Sequence, residues 1–341
     1  MRVVLVRHQF GSAPAFALYE ELLSAMANAL EQEGAQANVV TSLDEAGAEP
    51  ADAVLLMGTL PYFAHWQRGL RALYALSPRP KVALWQLELL PGADMPFGEW
   101  LVRRAKGGWD LRRQGGRFLN SLGANLQSVY EAARAGLLHS VWADTQSRVL
   151  SLGRAGITAR LLPLGYHSAW GDLNAPENER DIDVLFLGGL GGLGGRRETI
   201  LQATRTQLAQ QGIALQTSAE VAPRELWGPE RNALIRRARI YLCVYRKPGE
   251  WSGTRFALGM ANGALVVSEP VRDARPLVAG THFVEAAPEN LARVIQMYLA
   301  DDTARQRICG AARELLRGSF SLQASARTLL HALGEPGQEP C

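Results

Sequence analysis

Two continuous apolar runs, Ile240–Tyr245 (IYLCVY) and Ala264–Val267 (ALVV), are separated by a segment long enough for a single helix. Strands covered on both faces read as unbroken apolar runs, so this pair predicts neighbouring parallel strands of a βαβ unit. The segment between them divides in two. Arg246–Gly253 is a loop with two cations, one carboxylate and two glycines. Thr254–Asn262 has helical spacing, with Phe256, Met260 and Ala261 on one face, Thr254 as N-cap and Gly263 as the stop. Open parallel sheets take their ligands at the carboxyl ends of strands and the N-termini of helices. Arg246, Lys247, Glu250, Ser252, Gly253, Thr254 and Arg255 therefore fall on one binding edge.

The same alternation runs along most of the 341 residues, enough for two domains. Strands are expected at Val3–Val6, Asn38–Thr41, Ala53–Met57, Lys81–Leu87, Ser140–Ala143 and Ala159–Leu162. Helices are expected from Pro14 to about Gln32, near Phe63–Leu76, and over Gln146–Ala155. From Pro91 to Gly123 the pattern breaks, and seven glycines alongside Arg103, Arg104, Lys106, Arg112, Arg113 and Arg117 suggest loops and short helices. Ala169–Arg180 is polar and reads as a linker. Beyond it, strands and helices alternate again to the helices Glu289–Leu299, Thr303–Leu316 and Leu322–Leu333.

Composition removes several function classes. No stretch approaches the ~20 apolar residues of a membrane-spanning helix, and the chain enters a strand at once, without a signal-peptide pattern. Three distant cysteines make neither a disulfide framework nor a metal cluster, which fits a reducing cytoplasm. A net charge of +3 does not call for nucleic acid. There is no carboxylate pair at metal-binding spacing and no Asp-x-Asp.

A glycine run, Leu187–Gly195 (LGGLGGLGG), follows a buried strand and precedes a helix opened by Arg196 and Arg197. Glycines admit a phosphate close to the backbone, and the helix N-terminus supplies donors and a favourable dipole. Gly188, Gly189, Gly191 and Arg196 are the candidates here. Gly189, Gly191 and Gly194 also satisfy G-x-G-x-x-G, but a dinucleotide site wants an acid at the end of the next strand, where Glu220 comes late.

The stretch R-F-A-L-G-M-A-N-G-A-L-V-V-S-E-P at Arg255–Pro270, followed by G-T-H-F-V-E at Gly280–Glu285, resembles the C-terminal domain of GT-B glycosyltransferases. It is closest to the group 1, CgeB-like type. The segment ending P-L-G-Y-H at Pro163–His167 resembles the end of the GT-B N-terminal domain. The resemblance implies an α/β protein of two Rossmann-like domains facing across a cleft: an acceptor domain over 1–167, a linker over 168–180 and a nucleotide-sugar domain over 181–320. A last segment, 321–341, holds a helix that can cross back. It implies transfer of a sugar from a UDP, GDP or TDP donor to a small molecule, glycan or peptide, without a bound cofactor or metal. The donor side would comprise the glycine-run residues, Arg246 to Arg255 and Glu269, with Arg246, Lys247 and Arg255 neutralising the diphosphate. Gly11, Ser12 and Trp85 would meet the acceptor. Many retaining relatives carry two glutamates eight positions apart here; Glu250 matches the first and Leu258 stands at the second.

Proton removal from the acceptor would fall to a strand-end residue of the first domain: His8, with Glu88 and Asp144 as rivals. Other classes stay open at this point. The glycine pattern fits a nucleotide-dependent oxidoreductase, and Leu258 fits a catalytically silent GT-B-like binding protein.

Overall fold

The computed structural model describes residues 1–9, 17–48, 50–114, 121–175, 179–189, 195–221 and 226–335. The chain divides into two compact units, Met1–Pro163 with Leu322–Cys341, and Leu164–Ser321.

In the first unit the order is β1 (Arg2–Val6), α1 (Ala17–Gln32), β2 (Gln36–Val40), α2 (Leu43–Ala48), β3 (Ala53–Gly58), α3 (Trp66–Tyr74) and β4 (Lys81–Gln86). It continues with α4 (Phe97–Gln114), α5 (Leu122–Arg134), β5 (Ser140–Ala143), α6 (Gln146–Arg154) and β6 (Arg160–Leu161). The second unit holds β7 (Ile182–Phe186), α7 (Arg196–Ala209), β8 (Leu215–Thr217), α8 (Ser218–Val221), α9 (Gly228–Arg236) and β9 (Ala238–Cys243). Then come α10 (Gly253–Ala261), β10 (Leu265–Ser268), β11 (Val284–Glu285), α11 (Leu291–Ala300) and α12 (Asp302–Arg317). The last helix, α13 (Leu322–Gly334), belongs to the first unit.

Both sheets are parallel. The first runs β2-β1-β3-β4-β5-β6 and the second β11-β10-β9-β7-β8. The two orders follow one rule: the first strand lies between the second and the third. The direction of winding therefore reverses between β1 and β3, and again between β7 and β9. In open α/β sheets ligands bind beyond the carboxyl ends of the strands at such reversals. β3 is buried along its whole length, and Val184, Leu185, Phe186, Ile240 and Leu242 of β7 and β9 are equally inaccessible. These are the apolar runs that the sequence marks as central strands.

Within the first unit α13 packs on α1. Leu322, Ala326, Leu329 and Leu333 face inward, Arg327 makes two 2.8 Å hydrogen bonds to Glu33, and Ser325 Oγ donates to Pro163 O at 2.6 Å. Within the second unit Tyr166 N donates to Phe320 O at 2.8 Å, so the chain's two passages out of the first unit run side by side. Gly165 is required at this crossing: a Cβ there would stand 2.6 Å from Phe320 C.

Two expectations are corrected. The stretch after Pro91 is not loops and short helices; it is dominated by the 18-residue helix α4 followed by α5. Its glycines serve a close helix crossing. A Cβ on Gly107 would stand 2.1 Å from Gly123 C, and one on Gly123 2.0 Å from Arg103 O. Thr254 is not the N-cap of α10, which begins one residue earlier with Ser252 at the cap. Gly253 takes the first helical position because only hydrogen fits: a Cβ would lie 2.2 Å from Leu164 O.

Among the described residues no helix is long and apolar enough to cross a membrane.

Candidate active site

The second unit gathers arginines at the β7/β9 reversal. Beyond β7 the chain turns through Leu187, Gly188 and Gly189, with Gly188 at φ +144°. Arg255, in the first turn of α10, donates to Leu187 O at 2.7 Å. Arg197, in the first turn of α7, donates to Gly189 O at 2.6 Å. Arg246 follows β9, and its Nη2 would be 3.9 Å from a Cβ on Gly189. Arg197 and Arg255 both lie over the Phe186 ring, 5.7 and 5.8 Å from its centroid. A Cβ on Gly188 would meet Arg255 Nη2 at 2.4 Å, so this glycine lets the guanidinium fold over the turn.

These cations repel one another. Burial, then the charges of Arg255 and Arg246, push Arg197 down to about 10. Among the described residues none of the three forms an ion pair, and Arg197 Nε is buried without a hydrogen-bond partner. The amides of Gly253, Thr254 and Arg255 open α10 beside them, and no side chain caps that end. The surroundings call for an anion with several oxygens.

Arg196 does something else. It ion-pairs with Glu269 and donates to Tyr245 O at 2.9 Å. Glu269 is only 2% exposed and also accepts from Tyr245 N at 2.8 Å. Both side chains are thus engaged in fixing the ends of β9 and β10 rather than presented to a ligand, which corrects the expectation for this pair. Lys247 and Glu250 face each other at 3.9 Å in the loop before α10. Trp251 anchors that loop between Phe256 and Phe320, at 5.5 and 6.5 Å between centroids. Leu258 is buried. Gly191 lies outside the described residues, as do Gly11 and Ser12.

The first unit brings His8, Glu88 and Asp144 to the carboxyl ends of β1, β4 and β5. His8 is buried against Tyr19, Tyr62 and Phe63, at 4.4, 5.2 and 5.1 Å between centroids. Its Nε2 faces Met57 O, so that nitrogen carries the proton and donates. Burial lowers its pKa to about 4, against the smaller opposite pull of the Met57 hydrogen bond. Glu88 is half-buried and accepts hydrogen bonds from the hydroxyls of Tyr19 and Tyr62. Asp144 is buried and accepts from Arg148 Nη1 at 2.5 Å, while Arg148 Nε donates to Glu88 O at 3.1 Å. Burial raises Asp144 to about 6, and Arg148 pulls the other way. Trp85 is corrected: it is fully buried, with its indole N–H donating to Leu162 O at 2.9 Å, and offers no surface to an acceptor.

Tyr19, Tyr62, Arg148 and Arg197 join these clusters without being singled out by sequence reasoning. Glu220 accepts from Thr217 N at 2.8 Å, from Thr217 Oγ1 at 2.9 Å and from Arg205 at 2.8 Å, and is occupied locally.

No curated protein matches the chain. Residues 197–331 match a family described as Glycosyl transferase-like. Among solved structures, HepE of Anabaena in complex with UDP and glucose is 13% identical, with a TM-score of 0.60 over 98% of this chain and 99% of that one. A glycosyltransferase from Rickettsia africae is 11% identical, with a TM-score of 0.58 over 97% of each chain. The β-glucosyltransferase of phage T4 with UDP and Mn²⁺ is 11% identical, with a TM-score of 0.51 over 98% and 99%. The chain therefore has the GT-B glycosyltransferase fold.

Proposed function

We propose that the protein is a glycosyltransferase that takes a sugar from a nucleoside diphosphate donor, UDP-linked by preference. The observation that carries this reading is the cluster of Arg197, Arg246 and Arg255 at the β7/β9 reversal beside the start of α10. A diphosphate is the anion whose spread of oxygens suits three guanidinia and a row of helix amides. The match of residues 197–331 and the UDP held by HepE and the phage enzyme support the donor class.

In the proposed reaction an acceptor hydroxyl oxygen, bound on the first unit, attacks the anomeric carbon. The bond from that carbon to the phosphate oxygen breaks. Charge accumulating on the departing diphosphate is met by fixed cations that need no reorganisation. The acceptor proton passes to a carboxylate, and Glu88 is favoured over His8 and Asp144. It is half-buried where Asp144 is enclosed, and the hydroxyls of Tyr19 and Tyr62 donate to it and fix its position. His8, at about 4, is a weak proton acceptor. Leu258 in place of a second glutamate favours a single inverting displacement. Because the arginines supply the positive charge, turnover is expected to survive EDTA.

The oxidoreductase reading loses its ribose acid, since Glu220 is bound within its own turn. Thermal shifts with UDP, GDP, TDP and NAD test the donor class, because a ligand of the folded state stabilises by mass action. UDP released from UDP-sugars with a mixed acceptor pool tests transfer. Stabilisation by NAD but by no nucleoside diphosphate would overturn the reading. Stabilisation by UDP without turnover of any donor would leave a silent binding protein.

A further inference from the structure

Helix α4 carries four of the chain's large exposed apolar side chains: Phe97 at 65%, Leu101 at 44%, Val102 at 68% and Trp109 at 53%. They lie at the margin of the helix's own packing, where Phe97 stacks on Trp100 with 6.4 Å between centroids. That packing is done by buried Trp100, by Gly107 against Gly123, and by Arg104, which bonds Gln127 at 3.1 Å and covers the Tyr130 ring at 3.9 Å. On the outer side Phe97, Leu101 and Ala105 follow one another at four-residue steps towards Trp109, and Val102 lies on Trp109's line seven residues earlier. Exposed cations Lys106, Arg112 and Arg113 border this stripe, and Arg113 sits 4.0 Å over the Trp109 ring. A groove of about 540 Å³ opens beside it, lined by Leu101, Arg104, Trp109, Arg112 and Gln127 among others.

Charge narrows the choice of partner. Five cations against Glu99 and Asp110 give α4 a surplus of three, equal to the formal net charge of the whole chain, +3. An apolar stripe with a tryptophan, flanked by arginine and lysine, matches the boundary of an anionic bilayer. Rings and aliphatic groups enter the acyl edge while cations meet phosphates. We propose that α4 docks the protein on an anionic lipid surface, lying in the plane of the headgroups. The stripe also exceeds the scattered single apolar residues that ordinary surfaces show. This inference does not rest on the glycosyltransferase reading.

The test is flotation of the full chain with vesicles of phosphatidylcholine alone or of equimolar phosphatidylglycerol and phosphatidylcholine. The protein is expected to float with the anionic vesicles, to stay behind with the neutral ones, and to be released by salt. Trp109 emission should shift to the blue on binding, since Trp66, Trp85, Trp100, Trp142, Trp170 and Trp251 are already buried. Charge reversal in Arg112→Glu/Arg113→Glu should lower partitioning at least about 25-fold. Phe97→Ser/Trp109→Ser should lower it by a similar factor or more. All four positions are exposed, so both variants should melt with the wild type, and the melt is measured alongside. Absence of flotation with anionic vesicles overturns the proposal, as does flotation unchanged in both variants. Self-association or RNA binding abolished by the same substitutions, without vesicle binding, also overturns it and assigns the stripe to that partner.

Discussion

The two units share a winding rule but have filled their strand ends in opposite ways. At the β7/β9 reversal three like charges crowd one turn, two of them held by backbone carbonyls and a phenyl ring, and burial together with their repulsion lowers Arg197. At the end of the first sheet every charge has a local answer: Asp144 meets Arg148, and Glu88 meets two tyrosines. A cluster under internal repulsion is stabilised by an added anion. A compensated cluster is stable as it stands and can offer one group to chemistry. That contrast is what assigns donor binding to the second unit and proton transfer to the first, and each experiment below bears on it.

The largest effect is expected from Glu88→Gln, which keeps the shape and removes the proton acceptor. Turnover should fall by roughly 10²–10⁴-fold with UDP affinity near normal. Asp144→Asn and His8→Gln serve as controls. Retained turnover in Glu88→Gln beside a dead Asp144→Asn would move the role to the enclosed carboxylate and break the division between offered and compensated groups.

Arg148→Ala comes next, because it leaves Asp144 buried without its cation. The loss should be about 3–5 kcal/mol of stability in denaturant melts. It should be greater at pH 8 than at pH 5, since Asp144, already raised to about 6, can then escape by protonation. A loss that does not change with pH would mean that Asp144 is not charged in the folded wild type.

Much of this architecture was legible. The unbroken runs at β3, β9 and β10 announce parallel buried strands, because a strand covered on both faces has no room for alternation. The edge carrying Arg246 to Arg255 followed from loop position alone. What failed has one physical cause: a residue's type does not reveal which way it faces. Arg196 and Arg197 are adjacent at the start of α7, about 100° apart around the helix. One locks Glu269 and the other joins the arginine cluster, a division that residue type alone does not reveal. Trp85, on a strand, reads as an acceptor residue but packs in the core. The glycines of α4 and α5 read as breakers, whereas they mark where two helix backbones touch. Tyr19 and Tyr62 gave no signal, since their partner Glu88 is distant in sequence.

His8 offers a smaller effect with a distinct sign. Its folded pKa, about 4, lies below the unfolded value of 6.5, so the unfolded chain binds the extra proton between these values. Its contribution is complete above pH 6.5 and is lost as pH falls towards 4, by about 3 kcal/mol in all. Asp144 works the other way: its raised pKa makes stability fall as pH climbs from 3.8 to about 6. Melts of wild type and His8→Gln across this range should differ in slope, the variant lacking the acid-side loss. Parallel curves would show that His8 is not held neutral by its aromatic enclosure.

The smallest effect on stability, and the sharpest test of the comparison, belongs to Arg255→Ala. In the first unit, removing a cation from its carboxylate should cost several kcal/mol, as argued for Arg148. In the second, removing Arg255 relieves repulsion on Arg197 and gives up one hydrogen bond to Leu187 O, so the melt should move by no more than about 0.5 kcal/mol. Binding should tell the opposite story. UDP affinity should drop at least about tenfold, because a charge-assisted contact to phosphate is lost. The drop should shrink in high salt, where the cluster's field is screened. Calorimetric titration of UDP at two salt concentrations, beside a thermal melt, reads both quantities on one sample. An Arg255→Ala protein that melts far below the wild type would make this arginine a structural clamp on the Leu187 turn. One that melts normally and binds UDP unchanged would remove it from the donor site, leaving Arg197 and Arg246 to be examined in its place.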